Sequence, residues 1–475
     1  MNNCSIQKKF ISIAMIFGVL FLMLIPPFQS PDEDSHFKKA YVMAEGNFFP
    51  DVVDGKEGYY LSETVINYIA EQLKSLGNTN YKFSYADILN EERTSVVYQD
   101  QVFTQFSTMS ANPIAHIVPA MGIVLGKLTA IIAGKEPSIV FLLYFARFFS
   151  LLAYVVMVSV AIRMTPVLKK TFFMLGLMPM SLYLASSVSY DILVIGVSFL
   201  YTALCFKLLY EPKERVNTKQ LIFIGFVAYV FWSVKIVYLP LLLLFLVILL
   251  EQRKWCKKDV KQCIRELGIV IGIFVFLLLV TTYLPRMFAV EIQNVSEEGI
   301  SLSQQQIVFI LKNPMEFFRI LYQTIKSGRN YYVSSTIGMF GLVDTPMYSV
   351  YVYVYALFLG IIGISEISLS RMKIKWHHRL AVLLAVLASV FGMFLAMYIY
   401  WTPSLYGIGA KVIEGVQGRY FIALLPTVFL IFSNSFIRKN KSLRFVATEC
   451  IEYGGLAAVA MLGVSGLTIL LRYWV

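Results

Sequence analysis

Charge is scarce in this chain: of 475 residues, 15% are Asp, Glu, Lys or Arg, while 58% are hydrophobic. Soluble domains carry about 25% charged residues, so that class is excluded. Cysteine is sparse and scattered (Cys4, Cys205, Cys256, Cys263, Cys450), which leaves no disulfide framework and no zinc spacing. The net charge of +12 does not point to nucleic acid, because no basic stripe with interleaved aromatics lies outside the loops that flank apolar runs. The first apolar segment, Phe10 to Ile25, lacks a small-residue cleavage site before Pro26-Pro27 and is expected to persist as a span. No internal repeat is visible, which counts against transporters built from repeated halves.

What the chain has in abundance is apolar runs of about 20 residues, the length at which a helix crosses a bilayer while satisfying its own backbone. The expected fold is therefore all-α, a polytopic transmembrane helical bundle. Lys and Arg mark cytoplasmic loops. Basic blocks at Lys8-Lys9, Arg163 to Lys170, Lys207 to Lys219, Arg253 to Arg265, Arg371 to Arg379 and Arg438 to Arg444 go inside, with the N-terminus. The stretch from Phe28 to Asn112 holds 13 acidic and six basic residues and goes outside. Parity then makes residues 171–206 cross twice, turning near Asp191, and 221–250 cross twice, turning near Lys235. Further spans fall near 267–284, 347–368, 379–401, 417–437 and 453–473, leaving the C-terminus outside. Residues 113–134 break the parity and are expected as an interfacial or re-entrant helix. The count is 11 spans in one domain, with a large first extracytoplasmic loop (28–112) and a second extracytoplasmic segment (285–346).

On that topology the unusual polar residues converge on the outer face. Asp32, Glu33, Asp34, Ser35 and His36 follow the first span directly. Gathering like charges beside a headgroup boundary is costly, so such a cluster points to a proton or a metal ion. Asp191 follows Ser186, Ser187, Ser189 and Tyr190. Lys235 stands alone in 30 nearly uncharged residues, with Tyr238 after it. Arg419 lies in Gly415-Val416-Gln417-Gly418-Arg419-Tyr420-Phe421, on the side where basic residues are few. Asp344 and His116 are weaker candidates. Bland readings stand beside these: Asp191 as a helix cap, Lys235 snorkelling, Arg419 pairing with Glu414. His377 and His378 read as solvated in a basic cytoplasmic loop. Carboxylates could hold a divalent cation or take a proton, and Lys with Arg suits a phosphate.

Pro31-Asp32-Glu33 with His36, Asn112-Pro113, Asp191 after a serine-rich turn, Lys235 with Tyr238, and the Gly415 to Phe421 motif occur in this order along almost the whole chain. In this the sequence resembles a bacterial multi-pass membrane family catalogued as domain of unknown function 2142. Its layout is similar to the GT-C superfamily of polyprenyl-phosphate-sugar glycosyltransferases. The resemblance implies an inverting glycosyltransferase of the bacterial plasma membrane with its active site outside, surrounded by membrane lipids, taking a sugar from a polyprenyl-phosphate-linked donor and passing it to a cell-surface glycan or lipid acceptor. Asp32 or Glu33 takes the place of the catalytic carboxylate, with His36 assisting. Lys235, Tyr238, Gln417, Arg419, Tyr420, Asp191 and Asp344 would bind substrate. If Mg²⁺ or Mn²⁺ is used, Asp32, Asp34 and Asp191 are the expected ligands, although 285–346 offers no acidic pair beyond Glu297-Glu298. A polymerase or ligase of lipid-linked repeat units, and a transporter or flippase of lipid-linked sugars, are the alternative expectations.

Overall fold

The computed structural model describes residues 3–90, 96, 100–211, 216–255, 259–283, 301–370, 372 and 374–475. The Glu297-Glu298 pair lies outside them. Among the described residues, eight helices are long and apolar enough to cross a membrane. They are α1 (Asn3–Leu24), α4 (Ile139–Met164), α5 (Asp191–Tyr210), α7 (Leu243–Trp255 with the turn before it), α8 (Val260–Leu278), α10 (Ser349–Leu369), α11 (Trp376–Tyr400) and α12 (Lys441–Tyr473). The chain is a multi-pass, all-α membrane protein. Its first large loop adds a small antiparallel sheet of Asp51–Val53, Lys56–Ser62 and Gln101–Thr104, together with α2 (Glu33–Ala44).

Several expected spans take other forms, and proline accounts for much of the difference. Over residues 171–206 the first expected crossing is broken into two short buried helices, Lys169–Gly176 and Pro179–Ala185. Pro179 starts the second because it has no N–H to continue the first and disfavours helical backbone before it. Residues 417–437 form no single α-helix: they run as Gly418–Phe421, Leu425–Val428 and Phe429–Phe432, with Pro426 among them. The expected break at Lys235 is present. That residue is extended between α6 (Thr218–Val234) and a 3-10 turn over Ile236–Leu242 that contains Pro240. Residues 113–134 contain α3 (Ile117–Ile132), a 16-residue apolar helix packed on α4. Within 285–346 lie the helices Leu302–Lys312 and α9 (Pro314–Ile337).

One ion pair joins α1, α2 and α4. Arg147 sits in the middle of α4 and is completely buried, as is Glu33 at the start of α2. The guanidinium donates to both carboxylate oxygens, Nε to Oε1 at 2.8 Å and Nη2 to Oε2 at 2.6 Å. Its remaining donors reach the carbonyls of Leu22, Ile25 and Pro26 at 2.7–3.2 Å, and Val188 N–H donates to Glu33 at 2.9 Å. The last carbonyls of a helix have no partner within it, so Arg147 satisfies the end of α1 and aims the chain into α2. Removing one partner of such a pair leaves a bare buried charge and costs about 3–5 kcal/mol, while removing both is far milder. Arg147→Met is therefore expected to lower the melting temperature of the detergent-purified protein sharply, and Arg147→Met/Glu33→Leu to recover part of the loss. Equal melting of Arg147→Met and wild type would show that the pair anchors nothing.

Candidate functional site

Four charged side chains from four distant segments form a continuous chain. Asp32 immediately precedes α2 in a left-handed backbone conformation (φ 59°), which turns its carboxylate outward while Glu33 next to it points into the core. Arg419 Nη2 donates to Asp32 Oδ2 at 3.1 Å, and Arg419 Nε lies 3.6 Å from Asp191 Oδ2. Lys235 Nζ donates to the other oxygen of Asp191 at 2.6 Å. Asp191 occupies the first turn of α5, where exposed helix N–H dipoles favour a carboxylate. The side chains of Arg419 and Asp191 are 4% and 8% exposed, whereas that of Asp32 is 58% exposed. Only the outer end of the chain meets the solvent side.

Aromatic rings wall this chain. The Lys235 ammonium lies 4.0 Å from the ring centre of Tyr420 and 4.9 Å from that of Tyr190, a cation–π arrangement strengthened by desolvation. Tyr238 Oη donates to the Tyr420 carbonyl at 2.7 Å and so holds the Arg419 turn against the Lys235 segment. Glycine allows that turn to dock. A Cβ on Gly418 would stand 2.2 Å from Tyr332 O and 2.3 Å from Thr336 N of α9, both backbone atoms. Gly418 N–H instead donates to Ser335 Oγ at 2.8 Å. Gly415 adopts φ +91°, the left-handed region that suits glycine.

A buried histidine pair lies beneath. His36 Nδ1 and His116 Nε2 are 2.8 Å apart, and the His36 ring stands edge-on to Tyr190 at 4.5 Å. Asn112 and Pro113 begin the short helix that presents His116: the Asn112 side chain accepts from Ile114 N–H and from Tyr229 Oη. Burial holds His36 down to about 4 despite the pull of Asp32 and Asp191, and holds His116 well below its ordinary value. Both rings are neutral at pH 7.

The structure sorts the expected residues. Asp32, Asp191, Lys235 and Arg419 meet, with Tyr238, Tyr420 and His36 around them, and Gln417 begins the turn that carries Arg419. Arg419 takes Asp32 and Asp191 in place of its sequence neighbour Glu414. Glu33 is withdrawn from the site because Arg147 and Val188 N–H occupy its carboxylate. Asp34 is engaged by Lys38 one turn later on α2 at 3.1 Å. Asp344 lies elsewhere, in a turn where Arg472 of α12 holds it at 3.2 Å. The Asp32, Asp34 and Asp191 set does not assemble for a metal: both Asp191 oxygens face cations and Asp34 pairs with Lys38. Ser186 and Ser187 are spent on main-chain carbonyls, including that of Gly18. His377 and His378, read as solvated, instead contact the buried Glu251. Arg147 was the residue the sequence reading missed, and its signal was a single arginine inside a 26-residue apolar helix.

An apolar cavity of about 300 Å³ adjoins the Arg419 turn, lined by Met178, Tyr332, Thr336, Leu359, Gly360 and Phe421 among others. Phe421 is two residues from Arg419, so the cavity and the ionic chain share one short segment.

Two outcomes follow. Gly418→Ala is expected to lower the melting temperature, since backbone must move. Gly268→Ala, where an added Cβ meets nothing within 4 Å inside α8, should raise it or leave it level, helix interiors favouring Ala by about 0.5–1 kcal/mol. Equal responses would remove the docking role of Gly418. The histidine pair gives the pH dependence. Because the folded values lie below the unfolded value of 6.5, the unfolded chain binds protons first as pH falls. The stability is complete above pH 6.5 and drains away between there and about 4. Melting measured at pH 7.5, 6 and 5 should fall, and fall less in His36→Gln; a flat wild-type profile would contradict a buried neutral pair.

No curated protein and no solved structure matches the chain. A family model described as predicted membrane protein (DUF2142) matches residues 15–428, and the chain belongs to that family.

Proposed function

We propose that the protein is a glycosyltransferase acting at the extracytoplasmic membrane face, moving a sugar from a polyprenyl-phosphate donor to a hydroxyl of a cell-surface glycan or lipid. The observation that carries this reading is the Asp32–Arg419 pair: an exposed carboxylate held by a buried guanidinium, beside an apolar cavity. A donor of this class needs the same three things, a base for the acceptor, positive charge for the phosphate and an apolar path for the tail.

The charges suggest a sequence of events. As it stands the chain is balanced, with Arg419 and Lys235 opposite Asp32 and Asp191. An arriving phosphate would draw Arg419 donors from Asp32, the exposed partner, and leave Asp191 with Lys235. The freed Asp32 carboxylate would then accept the proton of the acceptor hydroxyl as its oxygen attacks the anomeric carbon. The bond from that carbon to the phosphate oxygen breaks, and Arg419 stays against the leaving phosphate. A positioned base contributes on the order of 100- to 10,000-fold, and charge stabilisation a comparable factor in a site shielded from water. Tyr190, Tyr238 and Tyr420 exclude water from the Lys235 side. Asp32, Asp34 and Asp191 do not fit as a metal set, so no step is routed through Mg²⁺ or Mn²⁺.

Membranes containing the protein, incubated with radiolabelled polyprenyl-phosphate sugars, are expected to transfer label to product. Asp32→Asn should reduce turnover by about 100- to 10,000-fold, while Asp34→Asn should leave it near wild type. Full turnover by Asp32→Asn would remove Asp32 as the base. Label moved across sealed vesicles without a new glycosidic bond would replace transfer by transport, and ladders of repeat units would replace it by polymerisation.

A further inference from the structure

The α5 helix runs between two polar clusters. Its first residue, Asp191, belongs to the ionic chain, and its last, Tyr210, contacts His378. Twenty helical residues span about 30 Å, so the second cluster lies at the opposite end of the helix from the first. Its centre is Glu251 near the end of α7, with a side chain only 2% exposed. His377 and His378 come from the first turn of α11. His377 Nε2 lies 2.6 Å from Glu251 Oε1 and His378 Nε2 lies 3.6 Å from the same oxygen.

One detail of this arrangement asks for a cation. His378 is buried, and its Nε2 has no hydrogen-bond partner. Its other nitrogen, Nδ1, lies 3.2 Å from Tyr210 Oη. When Nδ1–H donates to Tyr210, Nε2 presents a lone pair to a carboxylate oxygen, so two acceptors face each other with no donor between them. Metal-ligating histidines are commonly oriented in this way, by a hydrogen bond from the nitrogen that does not bind the ion. Lys375 donates to the other oxygen, Oε2, at 2.5 Å and leaves Oε1 to the imidazoles. The three ligand atoms lie within 4.8 Å of one another, the spacing one ion can bridge.

We propose that Glu251, His377 and His378 form a binding site for a divalent transition-metal ion of the zinc type, remote from the ionic chain. Two imidazoles and one carboxylate are a zinc ligand set, and imidazole selects such ions over Mg²⁺ or Ca²⁺. The half-exposed His377 gives the ion a route in. Binding replaces the His377–Glu251 hydrogen bond with bonds from both groups to the metal, and the proton between them moves to Nδ1 or leaves to solvent. The bound ion ties α7 to α11 and, through Tyr210, to α5.

The full-length protein in detergent, stripped with a chelator and then titrated with Zn²⁺ alone, should bind one equivalent, measured by competition with a chromogenic chelator. Co²⁺ in its place should give visible absorption of a low-coordinate nitrogen–oxygen site. His377→Ala and Glu251→Gln, checked for monodispersity, should weaken binding by at least about tenfold. His36→Gln should not, which separates this cluster from the other two of the four histidines in the chain. Absence of stoichiometric binding, or binding undiminished in His377→Ala, would overturn the proposal and leave the cluster a proton-sharing network. If both variants fail to fold, the wild-type Co²⁺ spectrum still decides: no low-coordinate bands, no site.

Discussion

The arrangement of Asp32, Arg419, Asp191 and Lys235 depends on the buried pair of Arg147 and Glu33. Every donor of the guanidinium is committed, two to the carboxylate and the others to the three carbonyls where α1 ends. A charge placed so deep is tolerable only when its partner and its hydrogen bonds are complete. That condition couples the end of α1, the start of α2, the middle of α4 and the turn at Val188 in one set of contacts. Asp32, one residue before Glu33, inherits its position from this anchor, and Asp191 follows three residues after Val188. The residues of the ionic chain are thus held by neighbours that take no part in it.

The ionic chain itself is graded. Asp191 and Arg419 are shielded, Lys235 is covered by tyrosine rings, and Asp32 reaches outward. Interactions among the inner members are strong because little water screens them, while Asp32 at the end of the chain is 58% exposed. The apolar cavity starts on the same short segment as Arg419. Gly418 makes the juxtaposition possible, since the turn lies directly on the backbone of α9 and leaves no room for a side chain.

The charged members of this site were legible because each stands out against an apolar background, where an ionisable residue is expensive and needs a reason. Asp32, Asp191, Lys235 and Arg419 were all found that way. The same signal was present at Arg147 and went unread, because a long apolar helix drew attention to its length. Choosing between Asp32 and Glu33 was beyond sequence: adjacent residues differ here by a left-handed φ that sends one outward and the other into the core. Asp34 and Asp344 lie apart from the other charges, paired with Lys38 of α2 and Arg472 of α12, partners that sequence position alone does not mark. The histidines at 377 and 378 were underread for the same reason, Glu251 being more than a hundred residues away. The continuity of the helices was also hidden where hydrophobicity persisted through Pro179 and Pro426, because composition records apolarity and not whether the helix continues.

By itself the sequence determined the solvent of this protein. Long apolar runs must lie in lipid as helices, since nothing else satisfies a backbone there, and the few charges between them must mark interfaces or sites. Which charges meet was decided only by tertiary structure. Ion pairs between residues separated by 44, 114 and 387 positions arise from how the helices pack, and no local pattern encodes a distance that only packing creates.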